Sequence, residues 1–166
     1  MAQAPAQAIP AAGEQAGRRP GTPGRLSRWV QHRMNARTAR KLRKGKGTMM
    51  GMDLLVLHTV GRRSGRPHAT PLAWFPDPEA GVDGARLVVA SGGGARNPDW
   101  FVNLTARADQ VSIELAGGEV VAVTPQRLQG DERDRAWERI AAAQPRIAKY
   151  QAKTERLYPV VRLVPR

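Results

Sequence analysis

The rhythm of apolar positions changes twice along the chain. Met1 to Gly24 is built from Ala, Gln, Pro and Gly with no recurring apolar position, and it contains four prolines. Such a stretch buries too little to offset the entropy of ordering, so residues 1–24 are expected to form a disordered lead. From Arg25 to Lys44 the apolar residues Leu26, Trp29, Val30 and Met34 recur at helical spacing. Between them lie Arg25, Arg28, Arg33, Arg37, Arg40, Lys41, Arg43 and Lys44. This pattern predicts a basic amphipathic helix over the segment 25–46, closed by Gly45 and Gly47.

Beyond Gly47 the pattern is that of strands, and residues 47–166 read as one barrel domain. Asp53 to Val60 is a nearly continuous apolar run, short and rich in branched residues, which predicts a strand buried on both faces. Arg66 to Phe75 follows as a second strand, with Pro67 and Pro71 requiring an edge or a bulge. Pro76 to Ala85 reads as a loop and Arg86 to Ser91 as a third strand stopped by Gly92-Gly93-Gly94. Asn97-Pro98 predicts an N-cap and first turn for a short helix through Ala106. The alternating runs Val111/Ile113/Leu115 and Val121/Val123 around Gly117-Gly118 predict a hairpin. Asp131 is placed as the cap of a helix through Ala143, broken by Pro145 and continued briefly through Lys153. Tyr158 to Val164 closes the series as a strand.

About six short strands with two or three short helices argue for an α+β protein built on a closed or half-closed antiparallel barrel. A doubly wound parallel sheet would need a crossover helix between consecutive strands, and the first three strands leave no room for one. The length of 166 residues fits one domain. The absence of Cys removes disulfides, thiolate metal sites and thiol nucleophiles. His32, His58 and His68 are scattered, with no metal-ligand spacing and no acid nearby in sequence, so no metal is expected; His58 reads as a satisfied core residue. No signal-peptide core and no run of about 18 apolar residues is present, so a cytoplasmic location is expected. The net charge of +13 is uneven. Residues 1–52 hold eleven Lys or Arg against Glu14 alone, and residues 53–166 hold sixteen against thirteen acids. The basicity belongs to the N-terminal arm.

One turn stands out chemically. Gly61-Arg62-Arg63-Ser64-Gly65-Arg66 joins flexible glycines, a hydroxyl and three guanidiniums directly after a buried strand. Amides exposed in such a turn form an anion-binding concavity, and guanidinium forks take phosphate oxygens in pairs. A solvated basic turn is the plainer alternative. The glycine cluster at 92–94, with Arg96-Asn97-Pro98 opening a helix, is a second anion-friendly turn, or else an ordinary loop before a helix. Trp100 and Phe101 suit either a planar ring or the core.

The stretches Leu54 to Leu72 (LLVLHTVGRRSGRPHATPL), Arg86 to Leu104 (RLVVASGGGARNPDWFVNL) and, more weakly, Tyr150 to Val164 resemble the deazaflavin (F420)-dependent nitroreductase family, small split-barrel oxidoreductases of actinobacteria. The resemblance runs from Asp53 to the end of the chain. It implies a split β-barrel in which Arg62, Arg63 and Ser64 hold the phosphate of coenzyme F420, and His68, Ala69, Thr70, Pro71 and Leu72 line the deazaflavin. Ala90, Ser91, Gly92, Gly93, Trp100, Phe101 and Asn103 would close the rest of the site. It also implies hydride transfer to a hydrophobic, electron-poor acceptor such as a quinone or a nitro compound, with Tyr150 positioning or protonating that acceptor. Gly92 stands where some members have Lys. Of the C-terminal tyrosines of the nitro-activating members only Tyr150 is matched, with Gln144 and Ile147 in place of others, so nitro reduction is not carried over.

Phosphate-binding turns alone do not distinguish F420 from FMN, so an FMN-binding split-barrel reductase is the first alternative. A non-catalytic cofactor carrier or a basic nucleic-acid-associated protein is the second. For residues 25–46, three roles are open: a lid of Leu26, Trp29 and Val30 over the barrel mouth, a peripheral contact with an anionic membrane face, and, least favoured, nucleic-acid binding. A homodimer is compatible with the sequence, though no apolar stripe demands one.

Overall fold

The computed structural model describes residues 35–45, 47–49, 51–92 and 96–166. Its strands are β1 (Thr48–Met49), β2 (Met52–Val60), β3 (Pro67–Pro76), β4 (Arg86–Val89), β5 (Ser112–Glu114), β6 (Val120–Arg127) and β7 (Val160–Pro165). All pair antiparallel in the order β1-β2-β3-β4-β7-β6-β5, and β5 returns to β2 through Val56↔Glu114, Leu57↔Ile113 and His58↔Ser112. That last ladder closes six strands into a barrel, with the two-residue β1 as an outlying addition. The helices are α1 (residues 35–43), α2 (Asp99–Ala106), α3 (Gly130–Ala143) and α4 (Pro145–Gln151).

Alternation along β2 explains its apolar run. Leu55 and Leu57 point into the barrel with Val88, Ile113, Val123, Val161 and Leu163. Leu54 and Val56 point outward, where Ala39 and Leu42 of α1 cover them. A strand covered on both sides needs no polar face. On the opposite outer wall, α3 lays Ala136 and Ile140 over Phe75, Leu87 and Val160. Helix α2 sends Trp100, Phe101 and Leu104 into the interior cluster and so plugs one end of the barrel.

One ladder is incomplete, and this gap shapes the molecule. β3 pairs with β2 along its length from Leu54↔Ala73 to Val60↔Pro67, but with β4 only at Trp74↔Val88, Phe75↔Leu87 and Pro76↔Arg86. Residues 67–73 therefore have a strand on one side only. This is the edge that Pro67 and Pro71 require, since neither has an N–H to give.

Other details depart from expectation. α2 begins at Asp99 with Pro98 at its N-cap and no side-chain cap, so Asn97 does not cap it. α3 starts at Gly130 after Gln129, one residue ahead of Asp131. The loop 76–85 contains a short 3-10 turn, Pro78–Ala80, capped by Asp77. The last strand, expected from Tyr158, starts two residues later at Val160, leaving Tyr158 buried before it. His58 is not a core residue: its side chain is 33% exposed, and its Nε2 lies 3.1 Å from Glu114 Oε2. For the N-terminal helix, α1 ends before Gly45, which takes φ +74°, as expected. Leu26, Trp29 and Val30, the residues expected in a lid, lie outside the described residues, while the described part of α1 sits on the outer wall over β2 and β3.

Candidate functional site

β2 delivers the chain to Gly61 at the end of the barrel that α2 plugs. There the turn closes on itself: Gly61 N–H donates to Arg66 O at 2.8 Å and Gly65 N–H to Gly61 O at 2.9 Å. Gly65 takes φ +64°, a conformation that favours glycine. Gly61 is needed for space. A Cβ there would run into Ser64 Oγ and come within 3.0 Å of His68 Nε2, so a hydroxyl and an imidazole converge on the bare face of this glycine. Arg62, Arg63 and Ser64 are exposed at the tip. Among the described residues no carboxylate pairs with Arg62 or Arg63.

Helix α2 reaches the same turn. Asn103, 8% exposed, accepts the Arg62 N–H on its Oδ1 at 3.1 Å. The arginine turn and the helix that the second anion-friendly stretch opens are thus joined by a partly buried hydrogen bond. Asn103 acts from beneath, holding the turn rather than reaching past it. Trp100 and Phe101, 7% and 5% exposed, are packed in the interior and meet edge to face with centroids 6.1 Å apart. Their position fixes α2 in the barrel mouth.

The incomplete ladder supplies the third wall. His68, Thr70 and Leu72 alternate with Ala69 and Pro71 along β3, and the inward parity belongs to Leu72, which packs on the interior cluster. Ala69 and Pro71 face the other way, and the Ala69 carbonyl lies 3.5 Å from Asn35 Nδ2 of α1. The five residues share a strand edge rather than a side-chain face, so any ring lying along them meets backbone as much as side chains. Across the gap, β4 ends at Val89 and leads to Ala90, fully buried, then Ser91 and Gly92, both exposed. Gly93 lies outside the described residues.

Two features were not legible as site elements in the sequence. Arg156, between α4 and β7, donates from Nη1 to Ala90 O at 3.1 Å and to Asn97 Oδ1 at 2.8 Å, and from Nη2 to Gly92 O at 3.1 Å. Its guanidinium also lies 4.9 Å from the centroid of Tyr158. Glu114 is the second. Its buried carboxylate takes Arg43 from α1 and His58 from β2, and these partners, Arg43 first, hold it below the ordinary carboxylate range against the opposing effect of burial. Neither pairing has a local signal, because each joins residues more than fifty positions apart. Tyr150 stands on α4 with its ring 58% exposed. Its carbonyl accepts the Tyr158 hydroxyl at 3.2 Å.

The donors at this end suit an anionic tail attached to a flat ring: two unpaired guanidiniums and a hydroxyl on a glycine turn, an uncapped helix start, and an open strand edge beside it. Two grooves elsewhere, of about 390 and 330 Å³, lie at the opposite end around Trp74 and Arg86 and have no such donor set.

Comparison with known proteins identifies the family. An F420H(2)-dependent quinone reductase of Mycobacterium tuberculosis is 29% identical over 153 residues, covering 85% of this chain and 99% of the relative. The solved structure of an F420-H2 dependent reductase (FDR-A) shares 32% identity at a TM-score of 0.56, covering 66% of this chain and 92% of that one. A chain described as a domain-swapped dimer shares 30% identity at a TM-score of 0.57, covering 83% and 98%. Residues 26–165, nearly everything after the N-terminal lead, match one family throughout, and the chain belongs to the F420H(2)-dependent quinone reductases.

Proposed function

We infer that this protein reduces a hydrophobic, quinone-like acceptor with hydride supplied by reduced coenzyme F420. The observation that carries the reading is the bond from the Arg62 amide to Asn103 Oδ1, which fixes the phosphate-binding turn against the helix that plugs the barrel. When bound, the deazaflavin supplies the hydride; the protein supplies position and shielding. Arg62, Arg63 and Ser64 would hold the phosphate, the β3 edge from His68 to Leu72 one margin of the ring, and Ala90 to Gly93 the other. Trp100 and Phe101 back the plug and exclude water from beneath.

The acceptor would meet the exposed Tyr150. Leu157, 68% exposed, adds apolar surface next to Arg156 on the same side. Acceptor chemistry could then use the Tyr150 hydroxyl as a positioning or proton-giving group. For the arm, the described part of α1 favours membrane contact over a lid. Ala39 and Leu42 dock on the barrel wall, while Arg37, Arg40, Lys41 and Lys44 are exposed. A face of that charge suits anionic headgroups at about 1 kcal/mol per cation. No helix among the described residues is long and apolar enough to cross a membrane. The domain-swapped relative makes a homodimer the assembly to test first.

Titrating the purified protein with coenzyme F420 and, separately, FMN while following Trp fluorescence tests the reading. Saturable quenching by F420 at lower concentration than by FMN is expected, together with oxidation of reduced F420 by a soluble quinone. Indifference to F420 would remove the proposal, and preference for FMN would replace the cofactor.

A further inference from the structure

We propose that Arg156 is a positioning residue for the cofactor side of the barrel mouth, holding Ala90 to Gly92 and the Asn97 side chain from the opposite strand connection. This rests on the reading above for its purpose and on independent geometry for its existence. The loop is hard to hold by ordinary means. The stretch Ala90–Gly92 follows a strand whose ladder to β3 has already ended, and its tie to the β7 side goes no further than the Ala90 N–H donating to Pro159 O at 2.9 Å. One guanidinium supplies what the missing ladder would have supplied. It donates to carbonyls at both ends of the Ala90–Gly92 stretch and to the Asn97 side chain beyond the glycines, with a longer contact of 3.5 Å to Ser91 O.

The clamp is itself fixed. Its guanidinium carbon lies over the ring of Tyr158, whose hydroxyl donates to the Tyr150 carbonyl. Gln151 brackets the connection, donating from Nε2 to Arg156 O at 2.8 Å and accepting the Tyr158 N–H at 2.7 Å. Carbonyl-bound and stacked, the guanidinium needs its planar fork; a lysine could satisfy one carbonyl at a time. The chain also links the acceptor side to the cofactor side, since Tyr150, Tyr158, Arg156 and Gly92 form one unbroken series of contacts.

The test uses the full-length protein carrying Arg156→Ala or Arg156→Lys. In the free protein, amide exchange at Ser91, Gly92, Arg96 and Asn97 should accelerate at least tenfold in both variants, while amides of β4 and β2 keep wild-type protection. F420 affinity should fall about tenfold or more in Arg156→Ala, as expected for several lost charge-assisted bonds. Low millimolar guanidinium should restore part of that affinity, a rescue that simple destabilisation would not show. Unchanged exchange in the loop would overturn the proposal, and so would an affinity loss that tracks the unfolded fraction and resists rescue. If wild-type protein fails to bind F420, the functional reading falls, and the exchange experiment still decides whether Arg156 orders the loop.

Discussion

At one end of the barrel Arg62 and Arg63 stand exposed with no carboxylate among the described residues, whereas near the other Arg162, Arg139 and Arg135 are each paired with acids. Arg162 Nε lies 2.5 Å from Asp77 Oδ2, and its Nη1 lies 2.6 Å from Glu132 Oε1. Arg139 reaches Asp77 at 3.2 Å and also Glu79, which Arg135 shares at 3.1 Å. The Asp77 side chain is fully buried and that of Arg162 is 8% exposed. The same residue type thus does two jobs. Where the acids come from the chain itself, arginine fastens α3 to the wall; where none of the described residues supplies one, the function proposed above has the partner arrive from outside. Neutrality within the chain separates structural cations from recruiting ones better than exposure does, since Arg135, 55% exposed, belongs with the fasteners.

The comparison breaks most visibly at Asp77. Asp77→Ala leaves the buried Arg162 with Glu132 alone and should cost about 3 kcal/mol in denaturant unfolding, while the folded fraction binds F420 as before. A loss under 1 kcal/mol would mean the network is only decorative. At the opposite end, Arg62→Ala with Arg63→Ala should do the reverse. Affinity for F420 drops at least tenfold, about 1.4 kcal/mol, and thermal stability moves by no more than about 0.5 kcal/mol. Equal losses in both measurements would erase the distinction.

Asn103→Ala lies between the two, because it removes the acceptor for the Arg62 amide. About 1 kcal/mol should be lost from both stability and F420 binding, read by melting and titration on the same samples. The smallest effect concerns Glu114. Its pKa in the folded state lies below the ordinary 4.5, so its contribution is fully present above that pH and is lost as pH falls through the lowered folded value. Glu114→Gln should therefore flatten the acid limb of a stability-against-pH curve below about pH 4.5 and loosen α1, which Arg43 ties to this carboxylate. An unchanged acid limb would show that the α1 latch carries no stability.

What could be read in advance follows from the range of each interaction. β2, the arginine turn, β3 and the Gly117-Gly118 hairpin were legible, because alternation and turn chemistry act within a few residues. The meeting of α2 with the turn was suggested only by similar chemistry in two places; Asn103 had to be seen accepting the Arg62 amide before one site could be drawn. Asn97 misled, since Asn before Pro is a sound cap signal, yet its side chain serves Arg156 fifty-nine residues away. Glu114 carries no local signal, because its partners Arg43 and His58 are brought to it only by closure of the barrel.

The gap beside β3 has a consequence for how the protein lives among its own copies. A row of open backbone groups is an invitation to any passing extended segment, and such pairing is a common start of aggregation. Pro67 and Pro71 have no N–H to offer, so a stranger aligned along this stretch finds interrupted bonding, while a rigid aromatic ring needs no such continuity. The same two residues that permit the opening therefore also discourage a second strand from pairing along it.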